Sequence, residues 1–217
     1  MVPQTDTHLQ VALKFAPLAD GITFHLSGAF YDAVPTGSPR LPVWTGLPTN
    51  APLDHAEEGE IEIERICGPF EKLDTNTFAL RLERENTTNE SRYELVFAAR
   101  HPGDAHFKPA VQQAHMFVPS RNLQGLNQQL TFPPIPDRRE GAGSIRLPGG
   151  SDAGLPVHYY VREGPAEVEG DQLIFTAIPP RAKWPVKVTV VAWQYGRTAE
   201  PRVKSAVPVE RSFFIYQ

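Results

Sequence analysis

The sequence contains an internal repeat, and no other feature constrains the fold as strongly. Four segments of the first half recur in the second half in the same order, which is difficult to attribute to chance. The matched pairs are 13–20 with 130–137 at an offset of 117, 61–69 with 157–165 at 96, 93–103 with 186–196 at 93, and Phe117 with Phe213 at 96. The repeat predicts two copies of one structural unit, with domains at 1–122 and 123–217.

The offsets also show where the two copies differ in length. The offset falls from 117 to 96 between the first two matched pairs, so the first copy contains about 21 additional residues at that point. We predict this insertion at about 27–58, between the second and third strands of the copy. A long loop on a rigid scaffold is a common position for binding residues.

Hydrophobic patterning predicts strands rather than helices. In 93–100 and 186–193, apolar residues alternate with a period of two, which indicates strands with one buried face and one more solvated face. Proline supplies 22 of the 217 residues, which disfavours long helices. Roughly seven short strands per copy are typical of an immunoglobulin-like sandwich. We therefore predict an all-β fold of two tandem immunoglobulin-like β-sandwich domains, the first with a long loop insertion, joined by a short polar linker at 119–129.

The second copy resembles the bacterial Ig-like repeats of large secreted multidomain proteins. The resemblance covers most of 128–217 and is carried by Gln-Leu-Thr-Phe at 129–132, Ser-Asp-Ala-Gly-Leu-Pro-Val at 151–157, Gly-Pro-Ala at 164–166 and Val-Thr-Val at 188–190. The first copy, 8–122, is similar to the family in its Gly-Asp-x-x-aromatic loop at 103–107, but it lacks the Gly-Leu-Pro-Val strand.

This resemblance implies a non-catalytic module. Such repeats serve as spacers, adhesive arms or accessory domains of enzymes, including enzymes that degrade polysaccharides, and the family has no shared catalytic residues. It also implies an extracellular or periplasmic location, although the chain begins without a signal peptide.

Composition excludes several other classes of protein. The formal net charge is −4 and basic residues do not cluster, so nucleic acid is not an expected partner. No apolar run approaches the roughly 18 residues of a membrane span. Cys67 is the single cysteine, which excludes an internal disulfide. The sequence has no phosphate-binding loop or hydrolase motif, and we expect no cofactor.

Aromatic residues are the candidate ligand-binding residues. Trp44 and Tyr31 lie in the predicted insertion, where an indole face can stack on a sugar ring; alternatively, Trp44 fills a gap between the loop and the sandwich. Trp193 and Tyr195 are predicted on the outward face of one strand, with Trp184 at its start. These three residues form either a glycan platform or a contact between the two copies.

Two polar clusters have simpler explanations than catalysis or metal binding. His101, Asp104 and His106 could hold Zn²⁺, but Asp also favours turns by bonding to the local backbone. The glutamates at 57, 58, 60, 62 and 64 are expected to form a solvated face. We therefore predict neither metal ligands nor catalytic residues.

The resulting hypothesis is a non-catalytic accessory module of a larger secreted bacterial protein. We expect it to bind carbohydrate and to be appended to a polysaccharide-active enzyme. Its expected partners are a polysaccharide or the neighbouring domains of its own polypeptide. The alternative is a structural spacer or protein-docking tandem without a glycan ligand. A hydrolase with an unusual site is a third and weaker hypothesis.

Overall fold

The computed structural model describes residues 11–36, 46–83 and 91–217. The chain divides into two compact units. Unit 1 comprises the described parts of 1–17, 23–80 and 94–118, and unit 2 those of 18–22, 81–93 and 119–217. Within the described residues, no helix is long and apolar enough to span a membrane.

Among the described residues, the sandwich of unit 1 comprises seven strands in two sheets. One sheet has the order β1-β2-β5-β4 and the other has the order β3-β6-β7. The strands are β1 (Val11–Pro17), β2 (Thr23–Phe30), β3 (Glu62–Cys67), β4 (Phe70–Asp74), β5 (Thr77–Leu80), β6 (Arg92–His101) and β7 (Ala110–Pro119).

A cluster of phenylalanine rings forms the centre of the unit 1 core. Phe97 of β6 is fully buried. Its ring centroid lies 5.3 Å from that of Phe78, 6.0 Å from that of Phe15 and 6.2 Å from that of Phe70. These rings come from both sheets, so the cluster joins the two layers of the sandwich.

The sandwich of unit 2 has shorter and more numerous strands. Its larger sheet has the order β12-β15-β16-β9, with β9 parallel to β16, and its second sheet has the order β10-β14-β13; β8 and β11 form a separate pair. The strands are β8 (Leu130–Thr131), β9 (Arg138–Arg139), β10 (Ile145–Arg146), β11 (Gly150–Ser151), β12 (His158–Glu163), β13 (Ala166–Glu169), β14 (Gln172–Phe175), β15 (Val186–Trp193) and β16 (Val209–Tyr216).

The two units share the strand order of an immunoglobulin-like sandwich. The order β1-β2-β5-β4 opposite β3-β6-β7 is the ABED and CFG arrangement of that fold. Unit 2 repeats it, with β10-β14-β13 as B-E-D and β12-β15-β16 as C-F-G. The predicted fold class is confirmed.

The repeated Gly-Pro marks the same turn in both units, between β3 and β4 and between β12 and β13, where the chain crosses from one sheet to the other. Ile63 pairs with Ala99 in unit 1, and Tyr159 pairs with Ala192 in unit 2, as the sequence offsets require. The ladders shift register at the same position, between Arg65 and Cys67 and between Val161 and Glu163.

The glycine of each turn has no room for a side chain. Gly68 has φ 105° and Gly164 has φ 102°. A Cβ atom would lie 2.6 Å from the carbonyl oxygen of Glu94 at Gly68, and 2.5 Å from that of Lys187 at Gly164. Both positions therefore require glycine, for backbone conformation and for space.

The predicted match between Phe117 and Phe213 is wrong by one residue. Phe213 is 1% exposed, whereas Phe117 is 47% exposed and its neighbours Met116 and Val118 face the core. Because side chains alternate across a strand, a shift of one residue moves a side chain to the opposite face.

The predicted solvated faces of β6 and β15 are also wrong. Residues 95–99 are buried without interruption, as are residues 188–193. Each strand is hydrogen-bonded on both sides, β6 by β3 and β7 and β15 by β12 and β16, so neighbouring side chains flank its outward residues.

The segment predicted as a linker, 119–129, is an ordered part of unit 2. The Asn122 side chain donates hydrogen bonds to the carbonyl oxygens of Val203 at 2.7 Å and Arg197 at 3.3 Å. The Gln128 side chain donates to the carbonyl oxygen of Lys204 at 2.7 Å. Both side chains are buried, so these bonds fix the segment on the loop between β15 and β16.

Candidate functional site

Two loops leave the same end of the unit 1 sandwich. The β2–β3 loop follows Phe30 and contains the insertion, and the β6–β7 loop follows His101. Glu62 at the start of β3 pairs with Arg100 near the end of β6, which places the two loops side by side. In an immunoglobulin-like sandwich these are the B–C and F–G loops, which form part of the binding end of variable domains.

The insertion begins later than predicted, because β2 continues through Phe30 in register with Val11. Its base is a narrow ladder. The amide of Val34 donates to the carbonyl oxygen of Ala51 at 2.9 Å, and the amide of Leu53 donates to that of Asp32 at 2.9 Å. The ladder returns the chain to the sandwich immediately before His55.

His55 fixes the returning strand of the insertion. Its ring stacks on Phe30 at 5.0 Å with an interplanar angle of 14°. Nδ1 lies 3.0 Å from the carbonyl oxygen of Ala56, and Nε2 lies 3.0 Å from Oδ1 of Asp32. Both partners are acceptors, so only the imidazolium donates to both. The hydrogen bond to the Ala56 carbonyl and the Asp32 carboxylate raise the pKa of His55 above its ordinary value.

Asp104 organises the β6–β7 loop. Its Oδ1 accepts the amides of His106 and Phe107, both at 2.8 Å, and its Oδ2 accepts the amide of Glu57 at 3.2 Å. These backbone bonds, first that from His106, lower the pKa of the Asp104 carboxyl. The bond from Glu57 joins the insertion to the β6–β7 loop.

An open groove lies between the two loops. Its volume is about 550 Å³. We call it the loop-end groove; it is lined by Leu53, Asp54, His55, Glu57, Glu58, Asp104, Ala105, His106 and Phe107. Four carboxylates give it an acidic character, and its leucine and phenylalanine supply apolar surface. Carboxylate oxygens accept hydrogen bonds from hydroxyl and ammonium groups and repel anions.

The structure does not place the four aromatic candidates in one site. Tyr31 is half-buried at the base of the insertion in unit 1. Trp44 lies outside the described residues. Trp193 and Tyr195 belong to unit 2 and are 5% and 6% exposed.

The two buried aromatics of unit 2 have contacts of their own. The ring of Trp193 packs on that of His158 at 5.1 Å. The hydroxyl of Tyr195 donates to the carbonyl oxygen of Pro119 at 2.8 Å, and burial raises the pKa of this phenol to about 12. Neither ring offers an open face on which a sugar could stack.

The polar clusters of the sequence have structural roles. Nδ1 of the buried His101 accepts the amide of Gly103 at 3.0 Å, while Asp104 accepts the backbone bonds of its loop. The part of the chain that the structure describes contains no group of three His, Cys, Asp or Glu side chains suited to a metal ion. Among the glutamates, Glu64 forms an ion pair with Nε of Arg100 at 2.9 Å, and both side chains are about half exposed.

Both loops carry candidate residues in the sequence, but the sequence pattern does not show that the loops meet. Glu57 and Asp104 are separated by 47 residues, and their contact follows from strand order. The position of the insertion between the second and third strands could have indicated this contact, because the B–C and F–G loops share one end of this fold. Phe107 was noted only as part of a family turn, and its place in the groove depends on the same topology.

Comparisons with known proteins give fold neighbours only. No family model matches the chain, and no curated protein matches it. Among solved structures, human protocadherin-24 EC1-2 is 11% identical over 96% of this chain and 99% of that chain, with a TM-score of 0.32. Mouse cadherin-23 EC22-24 is 19% identical over 71% of this chain and 52% of that chain, with a TM-score of 0.28. Similarity at this level does not bear on function.

Proposed function

We propose that this chain is a non-catalytic accessory module of a larger secreted bacterial protein, and that it binds carbohydrate in the loop-end groove. The observation that carries the proposal is the meeting of the insertion with the β6–β7 loop at one end of a rigid sandwich. Immunoglobulin-like folds bind ligands at this end. The groove volume of about 550 Å³ lies within the range of small-ligand sites.

The lining of the groove suits a polyhydroxylated ligand. The carboxylates of Glu57 and Glu58 are exposed and can accept bonds from sugar hydroxyls. Phe107 is half-buried, so part of its ring can pack against the CH face of a sugar. The negative charge favours neutral or basic sugars over uronic or sulfated ones.

Asp104, the carboxylate of the β6–β7 loop, is poorly suited to general acid catalysis. General acid catalysis needs a carboxyl that retains its proton near neutral pH. The pKa of Asp104 is lowered by three backbone amides, and its oxygens are occupied by those bonds. Asp104 therefore shapes the loop and remains ionised, which supports a binding role for the groove.

Affinity electrophoresis and pull-down against a panel of neutral, basic and anionic polysaccharides test the proposal. The key variant is the double substitution Glu57→Gln, Glu58→Gln, which keeps the side-chain shape and removes two charges. Its matched control is Glu167→Gln, Glu169→Gln, two exposed glutamates of unit 2. Loss of charge-assisted bonds is expected to weaken binding about tenfold or more, while the control binds like the wild type.

A third variant, Trp44→Ala, tests the stacking residue predicted from sequence. Weaker binding by Trp44→Ala would support its assignment, and unchanged binding would remove Trp44 from the site. Equal binding by wild type and the groove variant would contradict the groove itself.

The alternative function is a structural spacer or protein-docking tandem. The segment 119–129 favours it, because hydrogen bonds from Asn122 and Gln128 hold this segment on unit 2 instead of leaving it as a free tether. Absence of binding to every polysaccharide of the panel would overturn the carbohydrate proposal and support this alternative.

A further inference from the structure

Unit 2 contains a cavity that the proposed function does not use. Its volume is about 340 Å³, and it lies at the edge of the sandwich where β9 and the chain after β14 approach each other. Its wall includes Arg138, Arg139, Glu140, Phe175, Ile178 and Ile215. We call it the Arg138 cavity.

The floor of the Arg138 cavity is the edge of the hydrophobic core. Ile215 is 3% exposed. The ring of Phe175 packs edge-on against Phe213 at 6.0 Å, and Ile178 packs against the same core cluster. A ligand in the cavity therefore meets apolar side chains held in fixed positions by the core.

Arg138 contributes a guanidinium to the wall of the cavity. It lies opposite Ile215 in the parallel β9–β16 ladder and is partly buried, whereas Arg139 is exposed and donates to the carbonyl oxygen of Gln217 at 3.3 Å. A guanidinium is a planar donor, and an oxyanion is its preferred acceptor.

The charges on the wall add to this preference. Arg138 and Arg139 carry two positive charges and Glu140 carries one negative charge, so the lining has a net charge of +1. The cavity thus combines a planar donor with an apolar floor.

We propose that the Arg138 cavity binds a small organic carboxylate whose body is an aromatic ring or a short alkyl chain. The guanidinium fork of Arg138 matches a carboxylate in geometry and charge. The side chains of Phe175, Ile178 and Ile215 cover the apolar body of the ligand. This site is separate from the loop-end groove and does not depend on it.

The test is a titration of the full chain, labelled with ¹⁵N, with sodium phenylacetate at constant ionic strength. We expect saturable shifts of the backbone amides in 138–142 and 175–178. Phenylacetamide, which keeps the ring and loses the charge, and acetate, which keeps the charge and loses the ring, should each bind about tenfold more weakly or worse. Equal shifts with phenylacetate and phenylacetamide would overturn the proposal, as would no saturable shift with phenylacetate.

Variants locate the site. Arg138→Gln removes the guanidinium and should weaken phenylacetate binding about tenfold or more, whereas Arg181→Gln removes an exposed arginine outside the cavity and should leave binding unchanged. Should Arg138→Gln fail to fold, Arg138→Lys keeps the charge and loses the fork, and it should also bind more weakly than the wild type. Wild-type affinity in the folded Arg138 variant would contradict the assignment.

Discussion

Units 1 and 2 share one strand order but differ in the lengths of their first strands, in the B–C loop and in the added strand β9. In unit 1 the first two strands are long, with β1 and β2 paired over seven residues, and the B–C loop is expanded. In unit 2 the corresponding region is divided into two-residue strands, and β9 adds a parallel partner to β16. The Gly-Pro turn that follows β3 or β12 is almost the same in both.

The two units therefore share the turn after β3 or β12 and differ in their loops and first strands. The Gly-Pro turn depends on a backbone conformation that few sequences can supply, so it keeps its glycine, and the strand before it keeps its bulge and its register. The loops and first strands have no such requirement and can change. Each unit carries its candidate ligand site in its variable part, the loop-end groove in unit 1 and the Arg138 cavity in unit 2.

The largest expected loss of stability concerns the Gly-Pro turn that both units share. Gly68→Ala and Gly164→Ala should each lower the free energy of unfolding by about 2–4 kcal/mol, because each adds a strained φ and a clash with a backbone carbonyl. Chemical denaturation of the full chain measures both. Gly143→Ala, where a Cβ meets no atom within 4 Å, is the control and should change stability little. A large loss of stability in only one of the two variants would show that the two Gly-Pro turns are not equivalent.

A smaller loss of stability is expected from the side chains that hold the loop between the last two strands of each unit. In unit 2, Asn122→Ala removes a buried bond to the Val203 carbonyl and should cost about 1–2 kcal/mol of unfolding free energy. In unit 1, Asp104→Ala acts on an exposed loop and should cost less. Asn127→Ala, which removes an exposed bond to Lys204, is the control. A greater loss from Asp104→Ala than from Asn122→Ala would reverse the comparison.

The smallest effect is a pair of opposite pH dependences. The pKa of His55 in unit 1 is raised by the Ala56 carbonyl and Asp32, with Glu57 nearby, so its stabilisation is complete below about pH 6.5 and is lost as pH rises through the raised value. For a partly exposed ion pair this is expected to be less than about 1 kcal/mol. Unfolding at pH 5.5 and pH 8.0 in the wild type and Asp32→Asn measures it, and an unchanged pH difference in Asp32→Asn would contradict this account.

His158 in unit 2 should behave in the opposite way. Burial and the charge of Arg81 lower its pKa against the opposing effect of Asp20, so its contribution is complete above about pH 6.5 and is lost as pH falls toward the lowered value. His158→Phe keeps a ring against Trp193 and removes the titration. The variant should lose less stability than the wild type between pH 7 and pH 5, and an identical loss would reject this origin.

The fold was predictable from sequence because its determinants are local. The recurrence of Gly-Pro at 68–69 and 164–165 reflects one turn that requires a glycine with positive φ in both units. The alternation of apolar residues predicted the strands. The match of Phe117 to Phe213 failed because residue identity says nothing about which face of a strand a side chain occupies. The burial of β6 and β15 on both faces was missed because their outward residues are covered by neighbouring strands.

The candidate sites were less predictable because they depend on contacts distant in sequence. The loop-end groove needs Glu57 beside Asp104, which only strand order provides. The Arg138 cavity needs a two-residue strand to lie beside β16, and no pattern in Arg138-Arg139 indicates that pairing. Trp193 and Tyr195 are predicted from sequence either as a glycan platform or as a contact between the copies; both are buried, which leaves no open platform.

The ordered segment 119–129 determines where this protein can be divided. A fragment that starts at residue 130 would leave the carbonyl oxygens of Val203 and Lys204 without the donors that Asn122 and Gln128 provide. The segment therefore belongs with the second sandwich when that module is expressed, grafted or recombined. A duplication that carried the sandwich to a new neighbour would have to carry these eleven residues with it.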